Sequence, residues 1–465
     1  MPQQGRVGFG FAKKRKHARI RCFIIYVASR FSRCVLVHRF PESNMHLTRS
    51  VLTLIVILAL QQGAAAQLGY NRIGSLDKTL NSVGYVHVGG TMFAGRSKQL
   101  ADRSIVLVGA ANNNIQLSKL RYDGTADTEF GGGGFINVTC TGCIPTDVVE
   151  LNGGKLLVAG QTSSFGTPGD IFLLRMNANG SVDTGFGTDG FAVHDLPAES
   201  GHFSDESMGE IAVLPDGSIL TAAITSVSTD HIVKQARGVL IKFDANGAID
   251  TSFGNGGFTQ SVLGNETSGS SHISHISLLP NGHIAAAFSA DISDSGAPNG
   301  YIRKGLVMEY LPTGQIDSGF EPHSINGDYA LDIAGAADGG LLVLVLGKLQ
   351  KFSQDGQLDT AFGSNGTVLF PYFNTLGSIS IQPSGKFYLT GNQILPPGPN
   401  LGSVRRYWPN GMPDRRFGRN GSVLLNIEGE HLYLGSAFFE NDGRIALMGA
   451  HPPNNQLYIR LITSK

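Results

Sequence analysis

A phrase repeated seven times, β-rich runs set between X-Gly turns, and two chain ends that complete one another predict an all-β fold. The fold expected is a seven-bladed β-propeller whose last blade is closed by the N-terminal strand. The phrase reads Gly-x-x-Asp-x-x-Phe-Gly-x-x-Gly and stands at 124–134, 180–190, 247–257, 356–366 and 411–421. A sixth copy keeps Gly314, Asp317 and Phe320 but runs into Glu321-Pro322. A weaker seventh, at 74–84, keeps Gly74, Asp77 and Gly84 and has Leu80 where the others have Phe. Repetition at this period means stacked supersecondary units, none of which can bury its apolar face alone.

Each unit justifies four strands. An apolar, alternating run precedes the phrase, as at 171–179, 239–246, 307–313, 349–355 and 404–410. After the phrase comes a second β-rich region built around an X-Gly turn: Asp216-Gly217, Asn281-Gly282, Ser384-Gly385 and Asp442-Gly443. X-Gly between β-rich runs is a strong hairpin signal, because the tight turn needs a residue that accepts positive φ. No stretch after residue 66 sustains a helical period. Successive phrase Phe residues lie 42 to 67 apart, room for four short strands and their loops.

The phrase residues have structural reasons to recur. The carboxylates of Asp77, Asp127, Asp183, Asp250, Asp317, Asp359 and Asp414 can cap backbone N–H groups two or three residues on. Phe130, Phe186, Phe253, Phe320, Phe362 and Phe417 are expected to insert between neighbouring blades, with glycines bending the backbone beside them. Seven matching aspartates read as scaffold, not as catalysts. The chain from residue 67 opens with the end of a unit and finishes, at 441–463, with a unit that lacks its phrase. Each end supplies what the other lacks, and a closed ring leaves no sheet edge exposed.

With its Leu214-Pro215-Asp216-Gly217 turn and Val-Ala-Gly strand end (Val158-Ala159-Gly160), the phrase resembles the bacterial delta-60 repeat family over about residues 68–465. That resemblance implies an exported or surface-associated propeller and no common activity, cofactor or catalytic residue. This chain departs from the pattern at Leu80-Asn81 and Glu321-Pro322.

Residues 1–66 differ from the rest, with eleven Lys and Arg against the single acid Glu42. Residues 45–66 have the layout of a secretory signal peptide: Arg49, the apolar run 51–60, then Ala64-Ala65-Ala66. That run is too short to span a bilayer, which takes roughly 20 residues. Residues 1–44 form a basic leader, and Met45 is expected to be the true start. The remaining 67–465 is read as one propeller domain, periplasmic or secreted and monomeric, with no transmembrane segment. It carries 25 basic against 35 acidic side chains, a poor match for nucleic acid. Its cysteines are Cys140 and Cys143, whose Cys-x-x-Cys spacing fits a redox pair, half a zinc site or a local disulfide. In an oxidising compartment the disulfide is the expected form.

Binding is expected where the long loops gather, on the face opposite the tight turns. The segments entering the inner strands there carry His202, Asp205, Glu206, His272, His275, His323, Asp328, Tyr329, Tyr372, Glu428, Glu430, His431 and Tyr433. Converged, such residues could hold a divalent metal or act as a base on a sugar. No metal ligand set or catalytic residue is assigned, and no cofactor is required. No nucleophile elbow, zincin helix, Walker loop or dinucleotide fingerprint occurs. The sequence therefore points to a binding or interaction scaffold at the cell envelope, for a glycan or a protein, rather than an enzyme. A polysaccharide lyase or hydrolase is the alternative, and a structural adhesin module the third reading.

Overall fold

The structure is a computed structural model that describes residues 73–463 except 89–95, 112–113, 163–168, 197–202, 230–231, 266–272, 298–299, 327–328, 371–376, 395–397, 441 and 452–454. The basic leader and the signal-peptide segment lie outside the described residues. So do His202, His272, Asp328 and Tyr372, and the side chains of Asp205 and Glu206. Leu68–Lys465 forms one compact unit.

The described residues build seven four-stranded antiparallel sheets, the blades of a β-propeller. Blade 2 shows the pattern: Cys143–Glu150, Leu156–Thr162, Ile171–Met176 and Phe191–His194 pair in sequence order. The first strands of the other blades are Ser97–Gln99, Phe203–Val213, Ile273–Leu278, Ala330–Gly335, Ser378–Ile381 and Tyr433–Phe439. First strands of neighbouring blades touch, so they stand nearest the axis. Tight turns join first to second strands, and the phrase joins third to fourth. Both therefore lie on one face. The connections between second and third strands, longest in blades 2 and 4, and those between blades lie on the other.

Blade 7 takes its fourth strand from the other end of the chain. Tyr85–Val88 pairs antiparallel with Asn455–Leu461, in the register Tyr85↔Ile459 to Val88↔Gln456. The apolar core follows the same circuit. Among the described residues it divides into seven clusters, one in each gap between adjacent blades. The gap between blades 7 and 1 is filled by Leu80, Val88, Ile105, Leu107, Leu120, Ala446, Met448 and Tyr458.

The phrase is the seam of these gaps. Phe130, Phe186, Phe253, Phe320, Phe362 and Phe417 each lie in an inter-blade cluster, as does Leu80 at the seventh seam. The first glycine of the next phrase is where the backbone presses on that ring. A Cβ on Gly247 (φ +84) would lie 2.4 Å from Phe186, and one on Gly314 2.8 Å from Phe253. The residue after the Phe ties the seam by donating its N–H to a turn carbonyl of the following blade, as Gly131 does to Asn179 and Gly363 to Asn410.

The phrase Asp has two jobs. In six copies one carboxylate oxygen accepts the N–H two residues on, as Asp250 does from Ser252 (3.1 Å) and Asp317 from Gly319 (2.8 Å). The other oxygen faces a side chain from the third strand, eight residues before it in the sequence of blades 1 to 6. That residue is Lys119, Arg175, Lys242, Lys351 or Arg406 in five of them, and Arg460 serves Asp77 in blade 7. Blade 4 differs and is treated below. Cys140 and Cys143 form a disulfide, with Cα atoms 5.5 Å apart, between blades 1 and 2.

Candidate ligand-binding site on the propeller axis

Six first strands, and the residue just before the first strand of blade 1, present one residue at the same height, level with the fourth residue of the second strand. The pairs are Asp147↔Ala159, His275↔Ala287, Asp332↔Leu344, Ser378↔Thr390 and Ser436↔Met448. Arg96 holds the level in blade 1, its carbonyl accepting from Val108 N–H (3.1 Å). Glu210 holds it in blade 3, within a bulge between Met208 and Ile211. Bulges also accompany Asp147, Asp332 and Ser436 and re-aim these side chains.

Most of this ring stitches blades together. Asp147 accepts from Ile211 N–H (3.0 Å), Glu210 from Ile276 (3.4 Å), Asp332 from Ile379 (2.7 Å) and Ser378 from Ala437 (3.1 Å). Each bond lands on the residue just after the ring position of a following blade. A carboxylate here is thus explained by scaffold needs alone.

Arg96 and His275 are not explained in that way. Arg96, from blade 1, reaches Glu210 of blade 3 at 2.6 Å. His275 is 9% exposed, its Nδ1 3.3 Å from Glu210 and 3.6 Å from Asp332. Those distances allow charge attraction, but neither ring nitrogen makes an aligned hydrogen bond to protein. Buried polar groups are ordinarily bonded, so an imidazole left this way between two carboxylates is the candidate binding position on the axis.

The charges separate the two carboxyl groups. Burial would raise Glu210, but Arg96 and His275 outweigh it and hold it below the usual range. Asp332 is raised by burial and by the charge on Glu210, against the pull of His275. Burial likewise raises Asp147, opposed by Arg96. Burial works against the His275 cation, yet Glu210 and Asp332 raise it above 6.5. The ring therefore sets donors (Arg96, His275) beside acceptors (Glu210, ionised, and Asp332).

Of the residues singled out in the sequence, His275 alone enters this ring among those whose side chains are described. His323 opens the fourth strand of blade 4, its ring 4.4 Å from Phe352 of blade 5, and is packing material away from the axis. Its titration is lowered by burial and by Lys348. Tyr329 donates to Asp291 of blade 4, with Arg303 4.9 Å above its ring. Glu428 accepts from His87 Nε2 (2.9 Å) and Tyr85 OH (3.0 Å). His431 accepts from Asn400 N–H at Nδ1 (2.9 Å) and stacks on Tyr433 at 6.5 Å; Glu430 is exposed. These residues are gathered at separate blades instead of one funnel.

Arg96, Asp147, Glu210 and Asp332 escaped sequence reading, yet a signal existed. Six of the seven ring residues stand seven positions before a turn glycine: Gly154, Gly217, Gly282, Gly339, Gly385 and Gly443. In blade 1 the counterpart is Arg103, which keeps the left-handed backbone (φ 72) without being glycine.

A family model described as "Domain of unknown function (DUF5122) beta-propeller" matches residues 154–186 and 214–253. No curated protein matches the chain. Among solved structures it is similar to a puromycin hydrolase (14% identity, 84% of this chain and 55% of that one, TM-score 0.47). It is also similar to the polysaccharide lyase Uly1 (10%, 86% and 95%, 0.45) and a glucose dehydrogenase (10%, 81% and 98%, 0.37). The chain thus spans about half the length of that hydrolase, and likeness at this level says nothing of its own chemistry. The family match and the seven four-stranded sheets make this chain a β-propeller repeat protein.

Proposed function

We propose that this delta-60-like propeller is exported and serves at the cell envelope, periplasmic or secreted, as a scaffold that takes a small polar ligand on its axis. One observation carries the reading: His275 is buried between Glu210 and Asp332 with neither ring nitrogen in an aligned hydrogen bond. Donors set beside acceptors suit a ligand rich in hydroxyl groups, such as a glycan end. Dispersal of Tyr329, Glu428, His431 and Tyr433 over separate local networks favours binding over catalysis. Export is supported by the signal-like segment 45–66 and by the Cys140–Cys143 disulfide.

The test is a glycan and metabolite binding screen of the full chain beside His275→Ala and Arg96→Ala. A genuine axial ligand should bind the wild type and weaken roughly tenfold or more in both variants. Unchanged binding in both would remove the axis as the site.

A polysaccharide lyase or hydrolase is the second reading, favoured by the opposed shifts of Glu210 and Asp332. Two carboxyl groups driven apart in this way are the arrangement acid–base chemistry uses. Chain cleavage by the wild type, abolished in His275→Ala and Asp332→Asn, would favour it over a scaffold.

A further inference from the structure

Blade 4 breaks the charge rule that the other six blades obey. In those six, Lys or Arg from the third strand lies 2.7 to 3.2 Å from the phrase Asp. Blade 4 has Glu309 at that position, eight residues before Asp317. Its side chain is only 4% exposed and stands where the others hold a cation.

A second position changes with it. The residue after the turn glycine is Lys155 in blade 2, Lys386 in blade 6 and Arg444 in blade 7. These reach their phrase Asp at 2.6, 3.0 and 2.6 Å. Blade 4 has His283 there, with Nδ1 2.7 Å from Glu309 Oε1 and 3.1 Å from Asp317 Oδ2. Two cationic positions have thus become an imidazole and a carboxylate, both metal-ligating types. Among the described residues neither Glu309 nor Asp317 pairs with a Lys or Arg. A proton on His283 would offset one charge of two.

We propose that His283, Glu309 and Asp317 form a divalent-cation site on the tight-turn face of blade 4. Their ligand atoms lie within 4.8 Å of one another, as donors about 2.0–2.2 Å from a shared ion would. Asp317 is fixed by the Gly319 N–H (2.8 Å), and Glu309 by burial. His283 and Asp317 are 24% and 19% exposed, which gives an ion an entry path and room for water ligands. One imidazole with two carboxylates suits Zn2+ better than Ca2+, which takes six to eight oxygens. The axial group Glu210, His275 and Asp332 has similar donors, but Arg96 already supplies its positive charge.

The site is independent of the proposed axial ligand, and one substitution separates them. Glu309→Lys restores the six-blade pattern, so the variant should fold. The full chain, stripped with chelator, is titrated with ZnCl2 by calorimetry, with thermal melting in parallel. The wild type and His275→Ala should bind one equivalent and melt at a higher temperature with zinc. Glu309→Lys and His283→Ala should bind roughly tenfold or more weakly and lose the shift. The proposal is overturned if the wild type takes up no stoichiometric zinc, or if His283→Ala, at a part-exposed position, binds as the wild type does. Loss in His275→Ala alone would likewise overturn it, by placing the ion on the axis.

Discussion

Arg460 donates from Nε to the carboxylate of Asp77 at 2.7 Å, although 383 residues separate them. The same guanidinium, fully buried, donates to Tyr122 O (2.9 Å) and Thr79 Oγ1 (2.9 Å). It thus joins the last strand, the first phrase and blade 1. Five seams of the ring are set by chain neighbours, while the two beside blade 7 recruit the far end of the sequence, as Gly418 N–H does in donating to Ile73 O (3.0 Å). Arg460→Ala removes one of the two arginines that reach Asp77, Arg444 Nε remaining at 2.6 Å, and leaves Tyr122 O and Thr79 Oγ1 short of a donor. It should cost about 1–3 kcal/mol, read as a lower urea midpoint. Arg460→Lys should recover only part of this, since an ammonium cannot span all three acceptors. A loss under 1 kcal/mol would show that closure does not depend on the pair.

Seam packing makes a second, local prediction. Gly247 combines φ +84 with a ring of Phe186 only 2.4 Å from where its Cβ would stand. Gly256 has a similar φ (+71) but open space around it. Gly247→Ala should therefore cost roughly 1–3 kcal/mol of overpacking beyond the backbone penalty of about 1–2 kcal/mol that both variants share. Equal losses at the two glycines would mean the seam yields to accommodate the methyl.

These seams were legible because backbone geometry demands particular residue types there. Positive φ, close approach and a carboxylate cap leave little choice beyond Gly, Phe and Asp. The axial ring was not legible because its seven positions share a place and not a residue: Arg96, Asp147, Glu210, His275, Asp332, Ser378 and Ser436. A stitch needs only an acceptor, which Asp, Glu and Ser all supply. Bulges beside Asp147, Glu210, Asp332 and Ser436 also break the simple alternation that would have aligned them. The cations facing the phrase Asp were regular in sequence at five blades, but ring closure moved the Asp77 partner to the far end of the chain. His323 shows that a histidine after a phrase also has a structural use, packing on a Phe of the next blade.

Paired phrase aspartates should give the propeller an acid limit. The Asp414 side chain is 1% exposed, with Lys386 Nζ and Arg406 Nε each 3.0 Å away. Burial would raise its carboxyl, but Lys386, the Arg416 N–H and Arg406 outweigh it and hold it below 3.8. A depressed carboxyl stabilises the fold fully above its unfolded value and ceases to as pH falls through the folded one. Asp414→Asn should therefore cost roughly 1.5–3 kcal/mol at pH 7. The gap from wild type should narrow steadily below pH 3.8. A gap that stayed constant down to pH 2 would rule out a charge-based role.

His275 should titrate in the opposite sense. Its folded value is raised above 6.5: burial and Arg96 disfavour the cation, but Glu210 and Asp332 together prevail. A raised histidine adds stability that is complete below about pH 6.5 and is lost as pH rises through its folded value. Glu210→Gln removes the main attraction while keeping the side chain's shape, leaving burial, Arg96 and the neighbouring Asp332 and Asp147. In that variant the imidazole resonance of His275, followed by NMR from pH 5 to 9, should move its midpoint below that of the wild type. The variant should also lose the extra stability at pH 6 that the wild type holds over pH 8.5. An unchanged His275 midpoint would mean that Glu210 does not govern the imidazole, and that the ring's donors and acceptors are not electrically joined.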